Sequence, residues 1–256
     1  MPDVPIALQL YTVRDELARD FEGTLRRVAE IGYTAVEFAG FLERPASKLY
    51  AILKELNLQV AGAHVPVEDL ETDLEAIVEY HLEIGNQYLV VPSAPEERRR
   101  DRKRFRSFAH ALNDIGADIQ DYGLKICYHN HAYELEDFGG QTGMEILLET
   151  TEPETVGIEL DTYWIKYGGA DPAELLRRLA GRCPLVHLKD MADDEQRSTA
   201  EIGTGTMDFD AIFAAAEEAG VQWYIVEQDE TARPSLESAR ISLENLKARG
   251  KSVPSE

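Results

Sequence analysis

Positive charge, sulfur and long apolar runs are all scarce in this chain. Only 26 lysines and arginines stand against 48 aspartates and glutamates in 256 residues, a formal net charge of −22 at pH 7. A surface that negative repels phosphate backbones and anionic lipid headgroups, which argues against nucleic acid and membrane surfaces as partners. The two cysteines, Cys127 and Cys183, lie inside apolar runs and no CxxC occurs. They read as buried free thiols in a reducing compartment, not as a disulfide framework. The amino-terminal MPDVP begins no basic segment followed by an apolar stretch. No run approaches the ~18 apolar residues that a membrane span needs. A cytoplasmic location is the expectation. Glycine is missing between the first candidate strand and Gly23, and neither GxGxxG nor GxxxxGKS/T occurs anywhere. Nucleotide and nicotinamide cofactors, whose phosphates such loops cradle, are therefore not expected.

What the chain does have is a regular alternation. Short apolar runs rich in β-formers fall at 5–12, 33–39, 58–65, 87–93, 124–129, 155–161, 184–190 and 223–229. Most are nearly continuous, as strands buried on both faces must be. Amphipathic segments separate them, at 21–31, 46–56, 73–84, 102–121, 142–150, 172–180, 209–219 and 235–248. In the first of these, Phe21, Leu25, Val28, Ala29 and Ile31 form an apolar stripe opposite Arg26, Arg27 and Glu30. Gly32, Asn57, Gly85, Gly123 and Gly220 follow such segments, where a left-handed cap closes a helix. Eight strand–helix units of about 32 residues each predict a single (β/α)8 TIM barrel, an α/β fold, spanning 1–256 as one domain. The basic stretch at 96–104 reads as a solvated helix start with Glu/Arg pairs, with a local anion or subunit contact as the alternative, and 251–256 as a frayed tail.

A barrel of this kind gathers its chemistry at the carboxyl ends of the strands. The first half of the chain offers Gln9, Glu37 and His64 there. The second half is richer, with His129, Asn130, His131 and Glu134, then Glu159 and Asp161, His187, Lys189 and Asp190, and Glu227 to Glu230. Singly, each has a structural explanation as a cap, an ion pair or a satisfied core histidine. Together they would crowd several carboxylates at one mouth, where each raises the pKa of its neighbours and is costly to desolvate. One divalent cation removes that penalty, and carboxylates with imidazole suit Mn²⁺, Mg²⁺, Co²⁺ or Zn²⁺.

The segments 6–12 (IALQLYT), 36–38 (VEF), 128–134 (YHNHAYE), 159–164 (ELDTYW), 187–190 (HLKD), 203–209 (GTGTMDF) and 225–227 (IVE) make the chain resemble the xylose isomerase-like TIM-barrel superfamily. Within it, the resemblance is to sugar-phosphate isomerases/epimerases, near inosose dehydratases and keto-sugar epimerases. It covers nearly the whole chain, in order. It implies a metal held by a Glu after the fifth strand, an Asp after the sixth, a His after the seventh and a Glu on the eighth. Asp161, His187 and Glu227 match three of these positions. The fifth-strand position departs, because His129-Asn130-His131 stands where many relatives carry Glu-Asn-His; Glu134 is favoured as the ligand there, with His129 as the alternative.

The implied chemistry is proton abstraction beside a carbonyl through a metal-stabilised enediolate, giving isomerisation or epimerisation of a sugar, sugar phosphate, keto-sugar or cyclitol. Dehydration on the same site is the alternative. Glu134 and Glu227 are the candidate bases, and Lys189 a charge partner or proton donor whose plainer role is a salt bridge to Asp161 or Glu227. Gln9, Glu37, His64, His129, His131 and Glu201 are candidates for binding substrate hydroxyls, with Trp164 and Tyr11 as an apolar wall for the sugar. The loop 203–205 reads equally as an ordinary turn before a helix capped by Asp208 or Asp210. An endonuclease IV-type nuclease shares the fold but needs a basic groove, which the charge opposes. A non-catalytic carbohydrate-binding barrel has no need to retain Asp161, His187 and Glu227. A homo-oligomer is left open.

Overall fold

Eight parallel strands close into a barrel: β1 (Ile6–Gln9), β2 (Ala35–Phe38), β3 (Gln59–His64), β4 (Tyr88–Val91), β5 (Lys125–His129), β6 (Val156–Asp161), β7 (Leu185–Leu188) and β8 (Trp223–Val226). Each strand pairs with the next and β8 returns to β1, with Ala7 beside Ile225. This computed structural model describes residues 4–41 and 44–251; the first three residues and the tail beyond Lys251 lie outside the described residues. Among the described residues no helix is long and apolar enough to cross a membrane. Both cysteines are buried and unpaired.

The amphipathic segments form the outer helices, at Phe21–Ile31, Ala46–Glu55, Leu74–Glu83, Arg102–Gln120, Gly143–Thr150, Pro172–Arg178, Phe209–Ala219 and Ser235–Ala248. Local chemistry sets several starts. Asp20, Asp101, Asp171 and Asp208 each accept a first-turn backbone N–H, and Thr142 with Glu145 forms a reciprocal capping box. Each such cap is worth about 1 kcal/mol. At the other end, Gly32 and Gly220 take the left-handed conformation, with φ of 106° and 78°. Cβ-bearing residues pay for that conformation, so glycine ends the helix cleanly.

Three apolar runs stop being strand earlier than their composition suggests. After Gln9 the chain turns through a 3₁₀ segment, Leu10–Val13, because the Gln9 side-chain oxygen accepts the Tyr11 N–H at 3.0 Å. Beyond β8, the Gln228 N–H goes to Thr12 Oγ1 at 3.1 Å instead of a neighbouring strand. Beyond β7, Asp190–Met191 pairs antiparallel with Thr199–Ala200. Three further helices among the described residues, Arg14–Arg19, Val67–Thr72 and Thr162–Tyr167, are six residues each, too short to display a helical repeat in the sequence. The basic stretch behaves mostly as expected. Asp101 caps the helix that begins at Arg102, and Arg98, Arg100 and Arg104 pair with Glu71, Glu96 and Asp101.

The main core lies between barrel and helices, where residues such as Leu8, Val36, Ile158 and Leu188 meet Phe105, Phe108 and Phe209. A second, smaller core fills the lower interior: Ala7, Ala35, Ala61, Val90, Cys127, Leu185 and Ile225, with Tyr88 and Trp223 at its amino end. Small residues are required here. A Cβ on Gly157 would sit 2.8 Å from Cys127 Sγ. Above this apolar plug, every strand in the second half of the barrel switches to polar side chains.

Candidate active site

Residues two apart on a strand share a face, so one inward-pointing set runs through Glu159 and Asp161, and another through His187 and Lys189. Register brings these sets side by side: His129 lies opposite Glu159, and Asp161 opposite His187. His187 bridges two carboxylates, with Nδ1 2.7 Å from Glu227 Oε2 and Nε2 2.7 Å from Glu37 Oε2. Gln9, its register partner on β1, supports Glu37 by donating a 2.7 Å hydrogen bond. Room for Glu37 depends on Gly62, whose Cβ would fall 2.5 Å from Glu37 Oε1. Glu159 Oε2 meets both His64 and His129 at 2.9 Å. Lys189 Nζ is held by three carboxylates, Glu227 at 2.7 Å and Asp161 and Asp229 at 2.9 Å.

Burial and these partners act in opposite directions on the charges. Burial disfavours protonated His64, yet Glu37 and Glu159 outweigh it and lift the imidazole to about 10. His187 is raised well above its ordinary value in the same way, by Glu159, Glu227 and Glu37 against its own desolvation. Burial would raise Glu227, but Lys189 and His187 hold it well below the usual carboxylate range. Asp161 goes the other way: burial pushes it up to about 6 despite Lys189 and His187. His129 is lowered, first by burial and then by the positive charge of His187. The site is therefore a compensated cluster of carboxylates, imidazolium and ammonium groups in a water-poor barrel interior.

One ligand-type atom from each of His129, Asp161, His187 and Glu227 lies within 4.8 Å of the others, and a second such group shares His129 and His187 with His64 and Glu159. Two imidazoles and two carboxylates form a nitrogen–oxygen donor set suited to a divalent ion. Glu37 Oε1 and Glu159 Oε1 are buried without a hydrogen-bond partner among the described residues. The charge also fits. A doubly charged ion carries as much charge as the two imidazolium protons of His64 and His187.

Most of the expected site residues converge here, and two do not. Glu134 turns away from the ligand group into its own network, accepting from the Tyr128 hydroxyl and from the His131 N–H at 2.8 Å. Burial lifts its carboxyl to about 7. Glu201 lies on the loop after β7, where it accepts from Ser238 at 2.8 Å and Arg233 at 3.1 Å and does not line the mouth. Its loop wraps on Asp190, which accepts from the Gly203, Gly205 and Met207 N–H groups. Lys189 makes the salt bridges to both Asp161 and Glu227. Glu159 is the residue sequence reasoning undervalued. It stands two positions before Asp161, on the same face, and that period-two spacing was a usable signal.

Above the cluster opens a cavity of about 920 Å³ reaching Tyr11, His64, His129, His131, Trp164 and Lys189. His131 stacks on Tyr133 at 5.7 Å and meets Trp164 at 5.5 Å, so one wall is aromatic. Burial lowers His131 to about 4, with Lys189 adding to the effect, which keeps that wall neutral. Tyr11 also lines the cavity and is 42% exposed.

The chain is 30% identical over 245 residues to an inosose dehydratase of Geobacillus kaustophilus, covering 80% of this chain and 79% of that one. Its fold superposes on a sugar phosphate isomerase/epimerase from Parabacteroides distasonis with a TM-score of 0.83 and 25% identity, covering 97% and 95% of the two chains. The IOLI protein, solved with a zinc atom, has the same fold at a TM-score of 0.77 and 15% identity, with 96% and 98% covered. The family model described as xylose isomerase-like TIM barrel matches residues 25–249. With the closed eight-stranded barrel and its polar carboxyl-terminal mouth, this places the chain in the xylose isomerase-like TIM barrel family.

Proposed function

We propose that this protein is a divalent-metal-dependent isomerase or epimerase that removes a proton beside the carbonyl of a sugar, sugar phosphate, keto-sugar or cyclitol. The observation that carries the reading is the convergence of His129, Asp161, His187 and Glu227 ligand atoms at the base of the cavity. These four residues would hold the ion, with His129 taking the fifth-strand role expected of Glu134. When bound, a divalent ion supplies Lewis acidity at a carbonyl oxygen. Glu227, kept ionised by Lys189 and His187, is the base that takes the α-proton. Lys189 orients Glu227 at 2.7 Å and places positive charge where a carbonyl oxygen gains negative charge. His131 and Trp164 present a flat neutral wall to the sugar ring, while Gln9 and Glu37 fix His187 from beneath. Dehydration is a second reading, favoured by the similarity to an inosose dehydratase.

The test uses the full chain. Metal is quantified on purified protein, and α-proton exchange is followed by NMR in D₂O with a panel of keto-hexoses and inososes. One bound ion per chain and solvent deuterium in the substrate are expected, and an epimerised or a dehydrated product separates the two readings. Asp161→Ala should lose the ion while the barrel stays folded; full metal content in that variant would refute the ligand set.

A further inference from the structure

The basic stretch at 96–104 contains one arginine that does not behave as a solvated surface residue. Arg98, Arg100 and Arg104 are paired with carboxylates, and Arg102 donates to Gln141. Arg99 has no ion pair or side-chain hydrogen bond among the described residues, and its Nε is buried without a partner. Its guanidinium lies 3.8 Å from the centre of the Tyr133 ring. Tyr133 is held firmly, its hydroxyl accepting the Ala94 N–H at 2.9 Å and lying 3.0 Å from the Tyr128 hydroxyl. His131 also stacks on that ring, so Trp164, His131, Tyr133 and Arg99 are linked by successive contacts along the cavity lining. Arg99 lines this cavity and also a neighbouring one of about 520 Å³.

The two long cationic side chains that line the mouth are thus in opposite conditions. Lys189 is saturated by three carboxylates, whereas Arg99 has its fork of donors unspent. In a protein of net charge −22, anions are repelled from most of the surface, so an unpaired guanidinium at the mouth selects strongly where one can bind. Its planar fork matches a carboxylate or phosphate, and the aromatic ring beneath fixes its plane.

We propose that Arg99, backed by Tyr133, is an oxyanion subsite at the rim of the mouth, and that the substrate is a sugar bearing a carboxylate or phosphate. This deepens the sugar-enzyme reading and rests on it. The anion sits at Arg99 while the sugar ring lies along His131 and Trp164, its reacting end toward Lys189 and Glu227.

The test is direct binding to the full chain by NMR titration, reading the Trp164 Nε1–H signal in wild type and variants alike, with D-glucose, D-glucuronate and D-glucose 6-phosphate as probes. Inorganic phosphate and acetate complete the set. Wild type is expected to bind at least one anionic sugar about 10- to 100-fold more tightly than glucose, the span a charge-assisted fork supplies. Uronate and phosphate arms tell which anion is preferred. Arg99→Met should erase the preference and leave glucose affinity unchanged, and Arg99→Lys should restore part of it. Equal binding of glucose and both anionic sugars overturns the subsite but leaves the sugar reading standing. So does a preference that survives in Arg99→Met. Arg99-dependent binding of phosphate or acetate with no binding of any sugar supports the subsite and overturns the sugar reading. No Arg99-dependent binding of any anion overturns the subsite.

Discussion

The two ends of the barrel interior are built from the same strands with opposite chemistry. At the amino end, Ala7, Ala35, Ala61, Cys127, Leu185 and Ile225 interlock as a dry plug. At the carboxyl end, two residues further along the same inward faces, Gln9, Glu37, His129, Glu159, His187 and Glu227 are equally buried but charged or polar. The lower end gains stability by excluding water, and the upper end spends some of it on desolvated charge. Two histidines show how local the difference is. His81, packed on Phe41 and Tyr80 outside the barrel, is lowered to about 4 by burial. His64, facing Glu37 and Glu159, is lifted to about 10. Burial alone removes charge; burial beside carboxylates retains it.

The comparison breaks most sharply at Glu227. Glu227→Gln should slow α-proton exchange by roughly 10²–10⁴-fold while leaving the fold intact, with metal content measured on the same sample. Wild-type exchange in a metal-loaded variant would remove Glu227 from the role of base. Next is Lys189→Met, which strips the counter-charge from Asp161 and Glu227. In the presence of a chelator, denaturant unfolding should show a loss of about 3–5 kcal/mol, as for other broken buried pairs. On the proposed ligand set, saturating divalent ion should recover part of this, because a ligand taken up by the folded chain alone stabilises it. Unchanged stability would mean the cluster is already wet. The opposite end predicts the opposite profile: Ile225→Ala should cost about 2–5 kcal/mol of stability by leaving a cavity, with metal stoichiometry untouched. Loss of the ion in that variant would show the two ends to be coupled.

The smallest effect concerns His81. Because its folded-state pKa of about 4 lies below the ordinary 6.5, the unfolded chain takes up a proton first as pH falls. Stability from neutral His81 is thus fully present above pH 6.5 and lost progressively down to pH 4, by up to about 3 kcal/mol. The stability difference between wild type and His81→Leu should narrow or invert over that window. A constant difference would place the titration elsewhere.

Much of this was legible from the chain. The eight helices and eight strands follow from apolar periodicity and from caps such as Asp20, Gly32 and Gly220, all of which act over a few residues. Asp161, His187 and Glu227 were visible because each ends an apolar strand, and a charged group there has nowhere to point but the mouth. Glu134 shows the limit. It follows the fifth strand closely enough to reach the cluster, yet the Tyr128 hydroxyl and His131 N–H draw it into a separate network. Arg99 was hidden among five other basic residues of the 96–104 stretch, and only its contact with Tyr133 and its unpartnered Nε distinguish it.

Sequence by itself determined what short-range forces decide: where helices begin and end, which faces are apolar, and that charge accumulates at strand ends. Tertiary structure decided which of those charges meet. Register and barrel closure set His187 between Glu37 and Glu227, residues 150 and 40 positions away along the chain, and brought Glu159 beneath two histidines. Coulomb interactions depend on distance through a desolvated interior, and that distance is fixed only when the first and last strands pair.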